Sequence, residues 1–153
     1  MFSTADQAYP PTAFHFKLSI AYVYCADSSF KEVSGIEAEW STKDVVEGGE
    51  NRFVHRLPTQ LKHPLLTLKR GVADSESPLV IWCKETLELG LVDVIRPQPI
   101  VVHLLDENRE PLRAWFFDHA YPVKWKVESF DSQKNEVAIE EVQLHYNYSN
   151  RII

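Results

Sequence analysis

Phe14-His-Phe-Lys-Leu-Ser-Ile-Ala-Tyr-Val-Tyr-Cys25 alternates without a break. Phe14, Phe16, Leu18, Ile20, Tyr22 and Tyr24 fall on one phase, with His15, Lys17, Ser19, Ala21, Val23 and Cys25 on the other. Period two is the spacing of a strand, whose successive side chains point to opposite faces, so this stretch predicts one long strand with a strongly apolar side. Asp27-Ser28-Ser29 predicts the turn after it, and residues 30–35 a short return strand.

Outward from there the same period recurs. Ile36, Ala38 and Trp40 alternate with Glu37, Glu39 and Ser41, and Phe53, His55 and Leu57 alternate on the way back. Between them lies Glu47-Gly48-Gly49-Glu50, whose glycines adopt positive φ cheaply, so an extended hairpin over about 36–57 is expected, closed by Pro58. A further strand is expected over 61–69, with Leu66 and Leu68 on one face. One segment, about 77–89, reads as a helix. Ser77 suits the cap, Pro78 the first position and Gly90 the exit, while Leu79, Trp82, Cys83, Thr86 and Leu87 recur at helical spacing. The second half returns to strands. Residues 100–105 and 112–121 flank the loop Asp106-Glu-Asn-Arg-Glu-Pro111, and Val123, Trp125 and Val127 alternate beyond them. In the last strand Val137 and Ile139 are odd-numbered but Val142, Leu144, Tyr146 and Tyr148 even, which predicts a β-bulge at Glu140-Glu141 on a solvated edge. The fold class expected is mainly β, a sandwich or small barrel with one helix.

The 153 residues suit one domain, with a loose lead-in over 1–12 and a C-terminal extension over 146–153. The longest apolar run, residues 20–26, is far too short for a membrane helix, and Met1-Phe-Ser-Thr-Ala-Asp shows no basic segment leading into an apolar one, so neither a transmembrane segment nor a signal peptide is expected. A formal net charge of −6 argues against a dedicated nucleic-acid binder. No nucleophile elbow, P-loop, dinucleotide glycine pattern, CxxC or HExxH occurs. His15, His55, His63, His103, His119 and His145 lack ligand spacing, and Cys25 and Cys83 read as small buried hydrophobes. No catalytic, cofactor-binding or metal-ligating set is expected.

Charge is segregated. Residues 27–50 carry seven acidic and two basic side chains, whereas residues 52–70 carry five basic and no acidic ones. Either the two arms neutralise one another across the ladder, or an acidic surface of one copy meets a basic surface of the next. The second reading nominates Arg52, Arg56, Lys62, Lys69 and Arg70 as the basic half of a stacking contact. Trp40, Trp82, Trp115 and Trp125 each fall on an apolar phase and read as core, with Trp115, Phe117 and Trp125 as possible interface anchors.

Several segments in succession carry a resemblance. Phe30-Lys-Glu-Val-Ser-Gly35, Val46-Glu-Gly-Gly-Glu-Asn51, Leu57-Pro58 and Leu66-Thr-Leu-Lys-Arg-Gly71 are followed by Trp82, Pro111, Trp115 with Phe117, Ala120-Tyr-Pro122, Lys124-Trp125 and Asn135-Glu-Val-Ala-Ile-Glu140. That order resembles the tail tube protein family of contractile phages and phage-like contractile injection systems, from about Phe14 to Leu144. The resemblance implies a non-enzymatic subunit of hexameric rings stacked into a hollow tube, made in the bacterial cytoplasm and assembled into a virion tail or injection particle. It implies as partners further copies of itself, the sheath, baseplate and tube-capping proteins, and a lumen content of cargo, tape-measure protein or DNA without specific nucleic-acid recognition. It places the hairpin over residues 36–57 at an assembly interface, with the tip, Glu47, Gly48, Gly49, Glu50 and Asn51, seated on a neighbour. The longer lead-in and the ending after Leu144 leave room for a tube-initiator paralogue joining tube to baseplate. In a different class, the aromatic first strand would also suit a small ligand-binding β-barrel.

Overall fold

Strand β1 (His15–Ile20) buries Leu18 and Ile20, the phase expected, but the apolar run does not continue as one strand. Strand β2 (Cys25–Phe30) pairs with β1 antiparallel and sets Cys25 opposite Ile20, so the chain has already reversed direction there. Asp27-Ser28-Ser29, expected as the turn, therefore lies inside β2. The return strand is also displaced: β3 (Glu32–Ser34) pairs not with β1 but with β6 (Leu66–Gly71). The computed structural model describes residues 15–20, 25–49, 52–72, 75–90, 94–128, 133 and 138–153; the lead-in over 1–12, Glu50 and Asn51 fall outside them.

The principal sheet runs β2-β1-β7-β8-β9-β6-β3, with β7 at Gln98–Leu105, β8 at Pro111–Val127 and β9 at Ile139–His145, and β10 (Tyr148–Arg151) on β8. It is not a closed barrel. β8 turns the sheet into two layers: Gln98–Leu105 pairs along its first part, and β9 along Tyr121–Val127. Between these parts His119 takes φ 56°, and the register with β9 shifts between Pro122 and Lys124. Such bends let one strand pass from one layer of a sandwich to the other. The loop before β8 is a turn in which the Asp106 carboxylate accepts from the backbone of Asn108 and Glu110.

The core lies between the layers. Leu18, Ile20, Phe30, Ile100, Val102 and Phe117 meet Leu66, Leu68, Val142, Leu144 and Tyr146. Helix α1 (Pro78–Cys83), running on into a π-helical turn at Lys84–Glu88, adds Leu79, Trp82 and Cys83. Ser77 precedes it without capping it, and its hydroxyl oxygen accepts from the Arg70 guanidinium at 2.8 Å.

That guanidinium explains the apparent slip in the last strand. β9 is regular against β6, and no bulge occurs at Glu140-Glu141. Glu140 occupies the core phase with Val142 and Leu144 and is 1% exposed, so it is not on a solvated edge. Directly opposite it, Arg70 is 4% exposed and donates Nε–H to Glu140 Oε2 at 3.1 Å. Trp125 Nε1 donates to the other carboxylate oxygen at 2.7 Å, and the Phe30 ring lies under the guanidinium at 4.8 Å. A buried charge survives only when its partners are supplied, and here they come from four separate elements.

Candidate assembly interface

Strands β4 (Glu39–Val45) and β5 (His55–Lys62) stand apart as a two-stranded sheet of their own. The hairpin reaches farther than expected: Pro58 does not close it but pairs with Thr42 inside the ladder, which runs on to Glu39 opposite Lys62. Thr59 is the extra residue of a bulge there, and its hydroxyl donates to the Ser41 carbonyl at 3.0 Å. A proline lacking an N–H donor is tolerated at such a bulge on an open edge.

Residues paired across an antiparallel ladder share a face. One face of this arm presents Trp40 with Leu61, Thr42 with Pro58, and Asp44 with Arg56. The other presents Glu39 with Lys62, Ser41 with Gln60, Lys43 with Leu57, and Val45 with His55. Nearly every residue of both strands is exposed, including Trp40 at 56%, Leu57 at 51% and Leu61 at 42%. Trp40 is therefore not core, contrary to its apolar phase. At the tip Val46, Phe53 and Val54 are exposed as well, and Gly49 takes φ 96°. An isolated two-stranded hairpin is marginal in water, and one that carries this much uncovered apolar surface is a candidate interaction site.

The root of the arm is built differently. Gly35 has φ 89°, and a Cβ there would overlap the Leu65 carbonyl oxygen, so the two ends of the arm leave the body in close backbone contact. Tyr146, 3% exposed, donates its hydroxyl to the Gly35 carbonyl at 2.9 Å, with the Glu37 carbonyl 3.3 Å away sharing the proton. Burial pushes the Tyr146 phenol above its usual pKa, which keeps it a donor. His63 stacks against it at 5.1 Å, and its Nδ1 lies 3.3 Å from the Glu37 carbonyl. Thus Tyr146, in the segment expected as an extension, is core, and β10 beyond it is a regular strand.

The nominated residues separate into three groups. Glu47, Gly48, Gly49 and Arg52 lie exposed at the tip, with Glu47 3.7 Å from His55; Glu50 and Asn51 lie outside the described residues. Arg56 and Lys62 are exposed on the arm, Arg56 3.6 Å from Asp44. Lys69 is half-buried 3.6 Å from Glu32, and Arg70 is enclosed in the body, where no neighbour can reach it. Part of the charge segregation is thereby neutralised across ladders of the same chain. Phe117 is fully buried, and Trp115 and Trp125 pack against the core. Trp40, Val46 and Val54 fall within the span 36–57 expected at an interface without being named among its contacts, and Leu61 lies beyond that span, although the adjacent apolar pairs Val45-Val46 and Phe53-Val54 already put apolar groups on both faces of one hairpin. Among the described residues no group of His, Cys, Asp and Glu could hold a metal ion, and no helix is long and apolar enough to cross a membrane.

Residues 12–150 match the family model described as T4-like virus tail tube protein gp19. Among solved structures the chain is similar to one in the anti-feeding prophage baseplate, with TM-score 0.76, 27% identity and 91% of each chain covered. It is similar to one in the PVC extracellular contractile injection system sheath-tube complex in the extended state, with TM-score 0.76, 22% identity, and 98% of this chain and 99% of that one covered. A more distant likeness is to Hcp1 from Flavobacterium johnsoniae, with TM-score 0.55, 14% identity, and 89% and 93% covered. Among curated protein sequences none matches significantly.

Proposed function

The chain belongs to the T4-like virus tail tube protein family and is a structural subunit of such a tube, and we propose that its hairpin arm is the element through which copies join into stacked hexameric rings around a central channel. The observation that carries this is the arm itself: a two-stranded sheet with large apolar groups exposed on both faces and a root fixed to the body. A ring consumes open edges by closing on itself, and a contact between unlike top and bottom surfaces continues indefinitely as a stack. The sheath, the baseplate and a cap are the outer partners this position calls for, and cargo, tape-measure protein or DNA the content of the channel. Similarity to chains from sheath-tube and baseplate assemblies supports these partners. The subunit is made in the bacterial cytoplasm and acts within the assembled particle.

A second reading, the initiator ring that joins tube to baseplate, draws support from the 27% identity to a chain of the anti-feeding prophage baseplate. The ligand-barrel alternative loses its ground, because the apolar face of β1 and the Phe30 ring are consumed in the core. Negative-stain microscopy of the purified protein, alone and with its sheath, tests these readings. Long stacks are expected for the main tube and discrete rings for the initiator, whereas particles that stay monomeric at micromolar concentration would overturn both.

A further inference from the structure

The two faces of the arm differ in chemistry, and the difference assigns them different neighbours. The Trp40 face is apolar, and its single pair of charges, Asp44 and Arg56, lies 3.6 Å apart and already neutralised within the chain. Away from that pair, whose charges are costly to desolvate, the Trp40, Pro58 and Leu61 part of the face gains from permanent cover. The opposite face holds Lys43, whose cross-strand partner is the apolar Leu57, and Lys62, whose cross-strand partner is Glu39, so Lys43 is the cation with no acid opposite it. Neither lysine makes an ion pair among the described residues. Residues 39–62 contain four basic side chains (Lys43, Arg52, Arg56, Lys62) and four acidic ones (Glu39, Asp44, Glu47, Glu50), so the net charge of −6 belongs wholly to the rest of the subunit. The body of another copy is thus an acidic surface for the lysine face to meet.

We propose that the arm is held between two other copies of this chain at once: the Trp40–Pro58–Leu61 face is buried in the first association, which closes the ring, and the Lys43–Lys62 face in the second, which stacks ring on ring. Order follows from solvation. A hairpin this thin is marginal until something covers it, so its apolar face is the one that gains by being covered at the first step. Lysines can remain hydrated in a free ring and lose that water only when the next ring arrives, which makes stacking the salt-sensitive step.

This inference rests on the tube-subunit reading, and one experiment separates them. Wild-type protein, W40S/L61S and K43E/K62E are compared by analytical ultracentrifugation and negative stain at low salt and at about 1 M NaCl, where charges are screened within about 3 Å. W40S/L61S is expected to raise the concentration at which rings form by about tenfold or more. K43E/K62E is expected to give rings that do not lengthen, and K43R/K62R normal tubes. High salt should take wild-type tubes back to rings but not to monomers. Because both apolar residues are exposed in the subunit, the thermal midpoint of monomeric W40S/L61S should match that of wild-type monomer. Should it not, T42R, which crowds the same face without removing any packing, is expected to block ring closure by itself. Rings from W40S/L61S at the wild-type concentration together with rings from T42R, tubes of normal length from K43E/K62E, or arrest of both classes at one stage would overturn the division of faces while leaving the tube reading intact. Wild-type protein that never forms rings would overturn both.

Discussion

Among the described residues three ion pairs join directly opposed residues of antiparallel strands, and two of them lie at opposite extremes of solvation. Arg70 and Glu140 are 5% and 1% exposed at their side chains, whereas Arg56 and Asp44 are 76% and 62% exposed. The first pair has Trp125, Ser77 and the Phe30 ring around it; the second has water. The geometry of a ladder is the same in body and arm, so pairing across strands does not decide what an ion pair contributes. Cover does. In the body the pair is an internal fixture that other elements are built around, and in the arm it lies on an open surface.

Breaking the enclosed pair gives the largest effect expected. Arg70→Ala leaves the Glu140 carboxylate buried without its cation, a loss of about 3–5 kcal/mol of subunit stability. Chemical denaturation of the monomeric subunit measures it. A loss below about 1 kcal/mol would erase the contrast between the two pairs.

That pair also marks where the sequence was legible and where it was not. Leu66, Leu68, Val142 and Leu144 announced their phases, as did Leu18 and Ile20, because apolar groups at period two have one economical arrangement. Arg70 and Glu140 share those phases but are charged, and charge reads as surface unless its partner is known. The partner stands seventy residues away, and no local pattern connects them. The reversal between Ile20 and Cys25 was hidden for the opposite reason, since the apolar run continues through it without turn residues. In the arm the tip glycines and the alternation located the hairpin. Trp40 was misplaced because an apolar phase says that a side chain will be covered, not whether its own chain supplies the cover.

The root, where body becomes arm, sharpens the comparison next. Tyr146→Phe keeps the ring in the core and deprives the Gly35 carbonyl of its donor, a cost of about 1–2 kcal/mol. Hydrogen exchange should locate the loss: amides of residues 39–62 exchange faster, while those of β6 and β9 keep their protection. Equal acceleration in both would mean that the hydroxyl serves the body and not the arm.

Acidity probes the body at a smaller amplitude. Burial, and after it the Lys17 ammonium directly across the ladder, hold the His103 pKa below 6.5. The unfolded chain therefore takes up a proton before the folded one does. Stability is full above about pH 6.5 and declines as the pH falls toward the folded value. His103→Gln should reduce the difference in thermal midpoint between about pH 7.5 and about pH 5.5. An unchanged difference would assign the acid sensitivity to other groups.

The smallest effect is expected from the exposed pair, and it is the other half of the argument begun with Arg70. Asp44→Ala removes the acid opposite Arg56 but leaves a guanidinium that water already solvates, so the isolated subunit should lose less than about 1 kcal/mol. The same substitution uncovers a cation on the otherwise apolar Trp40 face, which the proposed ring contact would bury. The effect should therefore be nearly silent in monomer denaturation and visible as weaker ring formation by ultracentrifugation. A residue that matters little in the subunit and more in the assembly is what separates an interface from a core. If Asp44→Ala destabilised the monomer as much as Arg70→Ala, the arm would be covered already and would have nothing left to offer a neighbour.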